Sequence, residues 1–181
     1  LAMMSPSWKF MQCLQFAAEK HRDQRRLDKR QTPYINHPIN VATIIVVEGG
    51  VEDELVLMAA LLHDTVEDTN TTFEEIRAIF GEDVCAIVHE LTDDKSLEKQ
   101  QRKRLQIENA ANSSPRAKLV KLADKLDNLR DLERSLPTNW TEERRAEYFV
   151  WAKKVVDNLR GTNAQLEAIL DGIFRQRKLI S

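Results

Sequence analysis

The 181-residue chain has little of what punctuates, staples or anchors a polypeptide. Five glycines and five prolines are too few for a fibrous or low-complexity chain, and they favour long regular elements. Two cysteines cannot build a disulfide framework; Cys13 and Cys85 sit among apolar neighbours and read as buried thiols in a reducing compartment. No apolar run approaches the roughly 18 residues of a membrane span. The start lacks the basic region and apolar core of a signal peptide, so the expected address is cytoplasmic. Leu1 and Ala2, ahead of Met3 and Met4, read as an added remnant, which leaves residues 1–4 outside the fold. Positive charge is not in excess either. Lys plus Arg is 27 and Asp plus Glu is 29, a net charge of −2, which argues against nucleic acid as the main partner. The apolar share of 42% and charged share of 31% exclude wholesale disorder. A single domain over residues 1–181 follows, large enough to bury about 70% of its unfolded surface.

What is present has helical period. Phe10, Cys13, Leu14, Ala17 and Ala18 recur at steps of three and four, as do Val41, Ile44 and Ile45, and then Leu55, Met58, Ala59 and Leu62. Pro38 and Pro115 suit first helical positions, and Thr72 with Glu75 forms a capping box. Gly81 fits a left-handed cap after Phe80. Ser114 opens a long helix to about Ser135, Thr141 opens one toward Leu159, and a last helix covers about Thr162 to Arg177. Eight or nine helices and no strand are expected, in an all-α bundle. Residues 22–36 read as a basic loop and 93–104 as a second charge-rich stretch, both solvated by default.

The segment His63-Asp64-Thr65-Val66-Glu67-Asp68 follows the apolar run from Leu55 to Leu62. Charges at the end of a buried helix are costly unless paired or bound to a cation. On a continuous helix Glu67 stands one turn above His63, and Asp68 one turn above Asp64. That offers two ligands to a metal and two carboxylates to whatever the metal holds. The alternative is a polar helix end with solvated acids. His37 opens the second helix, and could equally be a satisfied loop residue. Along residues 118–130, Leu119, Leu122, Ala123, Leu126 and Leu129 share one side, with Lys121, Asp124 and Asn128 opposite. An amphipathic surface helix accounts for that pattern as well as a ligand Asp does.

The segments TPYINHP (32–38), LLHDTVEDT (61–69) and KLVKLADKLDNLRDL (118–132), in that order, resemble the hydrolase domain of the RelA/SpoT family within the HD metal-dependent phosphohydrolases. The resemblance runs from about His21 to Leu170, and a chain of this length is similar to the stand-alone small alarmone hydrolases. It implies an HD-domain helical bundle, with His37, His63, Asp64 and Asp124 on the metal positions and one Mn²⁺ per chain. A mixed imidazole and carboxylate set with positions left for water suits that ion. His21 and His89 fall off the motif and read as ordinary surface or core histidines.

The implied reaction removes pyrophosphate from the 3′ position of guanosine tetraphosphate or pentaphosphate (ppGpp or pppGpp), leaving GDP or GTP. Glu67 and Asp68 match the catalytic acidic pair, one acting on the attacking water and the other protonating the leaving ribose oxygen. Their assignment to the two roles stays open. Arg26 matches the position whose guanidinium stacks on guanine, and Tyr34 and Asn128 match nucleotide-contacting positions. Lys99, Arg102, Lys121, Arg144 and Tyr148 are further candidates for substrate contacts. Two departures stand out: Leu27 replaces the lysine usual after the stacking arginine, and Gln31-Thr32 replaces the glycine expected before the PYI segment. The alternative activity is an HD-type phosphatase on another nucleotide, such as the 2′-phosphate of NADPH. A silent nucleotide sensor is the other rival.

Overall fold

Side chains that can hold an orphan N–H mark where the helices start. Ser114 accepts from the Ala117 N–H and puts Pro115, which has no N–H to leave unpaired, in the first turn of a 20-residue helix. Thr72, Thr141, Asp53 and Asn163 cap four more helices in the same way. The capping box is only half formed. Thr72 accepts from the Glu75 N–H at 3.2 Å, while the Glu75 carboxylate pairs with Lys20 at 3.0 Å.

The computed structural model describes residues 6–181, so the remnant expected at residues 1–4 lies outside the described residues. The helices are α1 (Pro6–Lys20), α2 (Asn36–Thr43), α3 (Glu54–Leu62), α4 (Thr65–Asp68), α5 (Phe73–Phe80), α6 (Glu82–Leu91), α7 (Lys99–Ala110), α8 (Pro115–Arg134), α9 (Glu142–Asp157) and α10 (Ala164–Gln176). A π-helical turn, Ile44–Glu48, extends α2. Among the described residues there is no strand, only an isolated bridge between Arg25 and Pro33 inside the basic loop. No described helix is long and apolar enough to cross a membrane.

The core is built around α3, which packs on α1, α2, α6 and α8. Six of its nine residues are buried, Val56 and Met58 to Leu62, because it is covered on several sides. The long α8 turns Leu119, Val120, Leu122, Ala123, Leu126 and Leu129 inward. That leaves its opposite face free for polar work. Cys13 and Cys85 are both buried and unbridged, as expected of core thiols. Glu48, at the end of the π-helical turn, takes both nitrogens of Arg130 at 2.6 and 2.8 Å and fastens α2 to α8 beneath the site.

Two expectations need correction. The helical path is not continuous through the His63 segment: α3 ends at Leu62, and the Thr65 hydroxyl takes the Leu62 carbonyl at 2.7 Å before α4 begins. The Asp68 N–H still reaches the Asp64 carbonyl at 2.9 Å, so those two residues stay one turn apart. The stretch 93–104 is also more than solvated surface, since α7 starts within it and turns Arg102 toward the interior. In the basic loop, Gln31 has φ +51, a left-handed backbone that favours glycine. Gln31→Gly should remove the side-chain penalty there and stabilise the fold by up to about 1 kcal/mol. Calorimetry should read a rise in Tm of about 2–4 °C for a chain of this size; an unchanged or lower Tm would refute strain at that position.

Candidate metal centre and active site

Three places in the chain deliver the site. His37 comes from the first turn of α2, His63 and Asp64 from the break between α3 and α4, and Asp124 from the polar face of α8. His37 Nε2 lies 3.1 Å from Asp124 Oδ1 and 3.7 Å from Asp64 Oδ2. His63 Nε2 lies 3.0 Å from Asp64 Oδ2 and 3.8 Å from Asp124 Oδ1. One ligand atom each from His37, His63 and Asp124 fit within 4.8 Å of one another. Asp64 approaches both imidazoles and also accepts the Tyr34 hydroxyl at 2.6 Å.

The outer nitrogens say which way the rings are oriented. His63 Nδ1 donates to the Ala60 carbonyl at 2.7 Å, and His37 Nδ1 to the buried Asp127 carboxylate at 2.7 Å. Each ring therefore turns its Nε2 into the shared gap. His63 Nε2 is buried there with no hydrogen-bond partner, since Asp64 is near but poorly aligned. Two Nε2 atoms facing two carboxylates form a donor set that suits a divalent cation once the imidazoles give up their protons. Asp124 is further fixed by Lys125 at 2.7 Å and Asn128 at 2.6 Å.

Charges in the cluster support one another against burial. Burial works against protonation of His63, but the Asp64 carboxylate overcomes it and pushes the ring up to about 9. Burial would raise Asp64 and Asp124; the His63 charge holds Asp64 low, and Lys125 with His37 holds Asp124 low. A cation entering the gap therefore displaces protons from the imidazoles. Burial, followed by the Asp93 and Asp64 charges, raises Glu67 to about 7, although the Asp93 N–H donates to it at 3.2 Å.

Two cavities meet at this cluster. The inner one, about 580 Å³, runs between α6, α7 and α8 and is lined by Glu67, Arg102 and Lys121 among others. The outer one, about 1020 Å³, opens against the basic loop and is lined by Arg25, Arg26 and Leu27. Tyr34, His37, Asn128 and Tyr148 border both. Arg26 is anchored edge-on by Asn128 at 2.9 Å and Asp131 at 2.6 Å, with Tyr34 below it at 5.7 Å. Leu27 is 63% exposed at the rim.

Not every candidate residue is brought in. Lys99 and Arg144 line neither cavity; Arg144 stacks on Trp140 at 4.3 Å. Asp68 sits outside both linings, taking Lys95 at 2.6 Å and Gln24 at 2.9 Å. Three contributors escaped the sequence reading. Asp127 holds His37, and its only signal was its place one turn after Asp124. Gln24 holds Asp68, and His21, buried as the core half of its reading allows, in turn holds Gln24 at 2.6 Å.

A helical bundle with His37, His63-Asp64 and Asp124 around one gap is the arrangement of an HD domain. The HD domain family model matches residues 13–153, and the chain belongs to that family. Within it, the chain is 71% identical over 175 residues to the Drosophila melanogaster guanosine-3′,5′-bis(diphosphate) 3′-pyrophosphohydrolase MESH1, covering 97% of this chain and 98% of that one. It is 58% identical over 177 residues to the Homo sapiens protein of the same name, covering 98% and 99%. A solved structure described as a metazoan ortholog of SpoT that hydrolyzes ppGpp and plays a role in starvation responses superposes with a TM-score of 0.95. It shares 70% identity and covers 98% of this chain and 99% of that chain.

Proposed function

We propose that this chain hydrolyses the 3′-pyrophosphate of ppGpp or pppGpp, releasing GDP or GTP and pyrophosphate, with one Mn²⁺ held by His37, His63, Asp64 and Asp124. The observation that carries the reading is the convergence of the His37 and His63 Nε2 atoms on the Asp64 and Asp124 carboxylates where two nucleotide-sized cavities join. The identity to the pyrophosphohydrolases supports the substrate. The nitrogen and oxygen donor set supports Mn²⁺ over a closed thiolate zinc site.

When bound, the cation neutralises charge on the phosphoryl oxygens and lowers the pKa of water. The protein side chains do the rest. Arg26, held edge-on by Asn128 and Asp131, offers its flat face to guanine in the outer cavity. Tyr34 and Tyr148 border the ribose at the junction. The oxygen of water bonds to phosphorus and the bond from phosphorus to O3′ breaks. We assign the proton delivered to O3′ to Glu67, because burial keeps it protonated near neutrality. The proton of the water passes to bulk solvent, and Asp68, which accepts from both Lys95 and Gln24 outside both cavities, acts only by positioning the turn that carries Glu67. Incubation of ppGpp with Mn²⁺ in ¹⁸O-labelled water should yield unlabelled GDP and labelled pyrophosphate by mass spectrometry. Label in GDP, or release of inorganic phosphate instead, would contradict the reaction.

Asp127 acts at one remove. As the buried acceptor for His37 Nδ1–H, it keeps Nε2 as the free nitrogen. Asp127→Asn should weaken Mn²⁺ binding by about 10–100-fold, the usual effect of losing a carboxylate behind a ligating histidine. Titration calorimetry checks this, and an unchanged Kd would show that His37 needs no such support.

A further inference from the structure

Beyond the metal gap, the inner cavity continues as a polar arm between α7 and α8 that the reaction described above does not use. Helix α7 turns Arg102, Gln106 and Asn109 into it at steps of four and three. Helix α8 adds Lys121, one turn before Asp124.

Although Glu67, Glu90 and Asp93 line the same cavity, one cation of this arm has no ion-pair partner among the described residues and the other only a long one. Lys121 is partly buried, and its ammonium reaches only the hydroxyl of Ser113, at 2.7 Å. No carboxylate lies within ion-pair distance of it among the described residues, whereas neighbouring Lys125 is matched by Asp124 at 2.7 Å. Arg102 touches Glu67 only at 3.5 Å, and its Nε is buried without a hydrogen-bond partner. A desolvated cation without a counter-charge is costly, and a bound anion removes that cost.

The polar face of α8 gives the arm a direction. Asp131, Asn128, Asp124 and Lys121 follow at steps of three or four along one side, about 5 Å of rise per turn. Arg26, bonded to Asp131 and Asn128, marks the base end. Asp124 marks the reacting phosphorus. Lys121 comes one turn further on, where the remainder of a 3′-diphosphate has to run. We propose that Lys121 and Arg102 form a subsite for the distal phosphate of the ribose 3′-pyrophosphate, and that this subsite makes the enzyme select a ribose diphosphate over a ribose monophosphate. The proposal rests on the hydrolase reading above and adds to it a specificity element.

The test compares kcat/KM for ppGpp with that for guanosine 5′-diphosphate 3′-monophosphate, which keeps the base, ribose and 5′ end but lacks the distal phosphate. Lys121→Gln should lower the ppGpp value by about 10–100-fold, the worth of one charge-assisted contact, and the monophosphate value by less than about twofold. Lys121→Arg should keep most of the preference. Product inhibition gives the contrast without turnover: pyrophosphate should inhibit wild type more strongly than phosphate does, and Lys121→Gln should erase that difference. Equal losses on both substrates, or no loss on either, overturn the subsite while leaving the hydrolase reading intact. Failure of wild type to hydrolyse ppGpp at all would instead overturn the hydrolase reading, and the subsite with it.

Discussion

Glu67→Gln should lower kcat for ppGpp by about 10²–10⁴-fold, the range that a positioned general acid contributes. Glutamine keeps the size of the side chain and its contact with the Asp93 N–H but has no proton to deliver to O3′. KM should change little, because Glu67 works on the breaking bond rather than on nucleotide binding. The same substitution carries a stability signature of opposite sign. Glu67 titrates at about 7 in the folded chain, above the ordinary glutamate range, because burial and then the Asp93 and Asp64 charges disfavour the carboxylate. Below the ordinary glutamate pKa both folded and unfolded forms hold the proton, and the group contributes no pH dependence. As pH rises from the ordinary glutamate pKa of about 4.3 toward 7 the unfolded form has lost its proton while the folded form keeps it, so stability falls until the folded form has ionised too. Metal-free Glu67→Gln should therefore melt higher than wild type at pH 8 and at the same temperature at pH 4. A variant that is slower and no more stable at pH 8 would contradict the buried-acid assignment. Wild-type turnover in both Glu67→Gln and Asp68→Asn would remove the acidic pair from the mechanism.

Asp124→Asn should abolish hydrolysis above background and weaken cation binding by more than about 100-fold, beyond the range for losing an outer-shell carboxylate. The amide retains an oxygen for Asn128 but loses the charge that His37, His63 and Lys125 all face. Lys125 is then a buried ammonium without its partner, a change of the kind that costs about 3–5 kcal/mol. His37→Gln removes a donor nitrogen without stranding that lysine, so it should lose binding with a smaller fall in Tm. Titration calorimetry and thermal melts of the two variants separate metal loss from unfolding. Retention of tight binding in both would remove these side chains from the cation site.

The fold was legible where local chemistry decides it. Ser114-Pro115 and the leucine stripe through Leu129 suffice to define α8, because a cap and a period are both short-range features. The break at His63-Asp64 was not legible. It depends on the Thr65 hydroxyl competing for the Leu62 carbonyl, and an apolar run followed by acids reads as one continuous helix. The site divides the same way. His37, His63, Asp64 and Asp124 could be nominated through resemblance, while their physical setting needed coordinates. Asp127 reaches His37 across 90 positions and Gln24 reaches Asp68 across 44, distances that no periodicity encodes. Gln106, and the inward setting of Arg102 that its nomination as a substrate contact left open, were hidden for a different reason. A strongly charged segment reads as solvated, and only the packing of α7 over the cavity shows which side chains turn inward.

Pulsed electron paramagnetic resonance of the protein titrated with Mn²⁺, followed by ppGpp turnover on the same sample, tests the central claim most directly. One Mn²⁺ per chain should bind with couplings to two imidazole nitrogens. One coupling should vanish in His37→Gln, and turnover should rise and fall with occupancy as chelator is added. Manganese bound without nitrogen couplings, or hydrolysis that persists after the ion has been stripped, would contradict it.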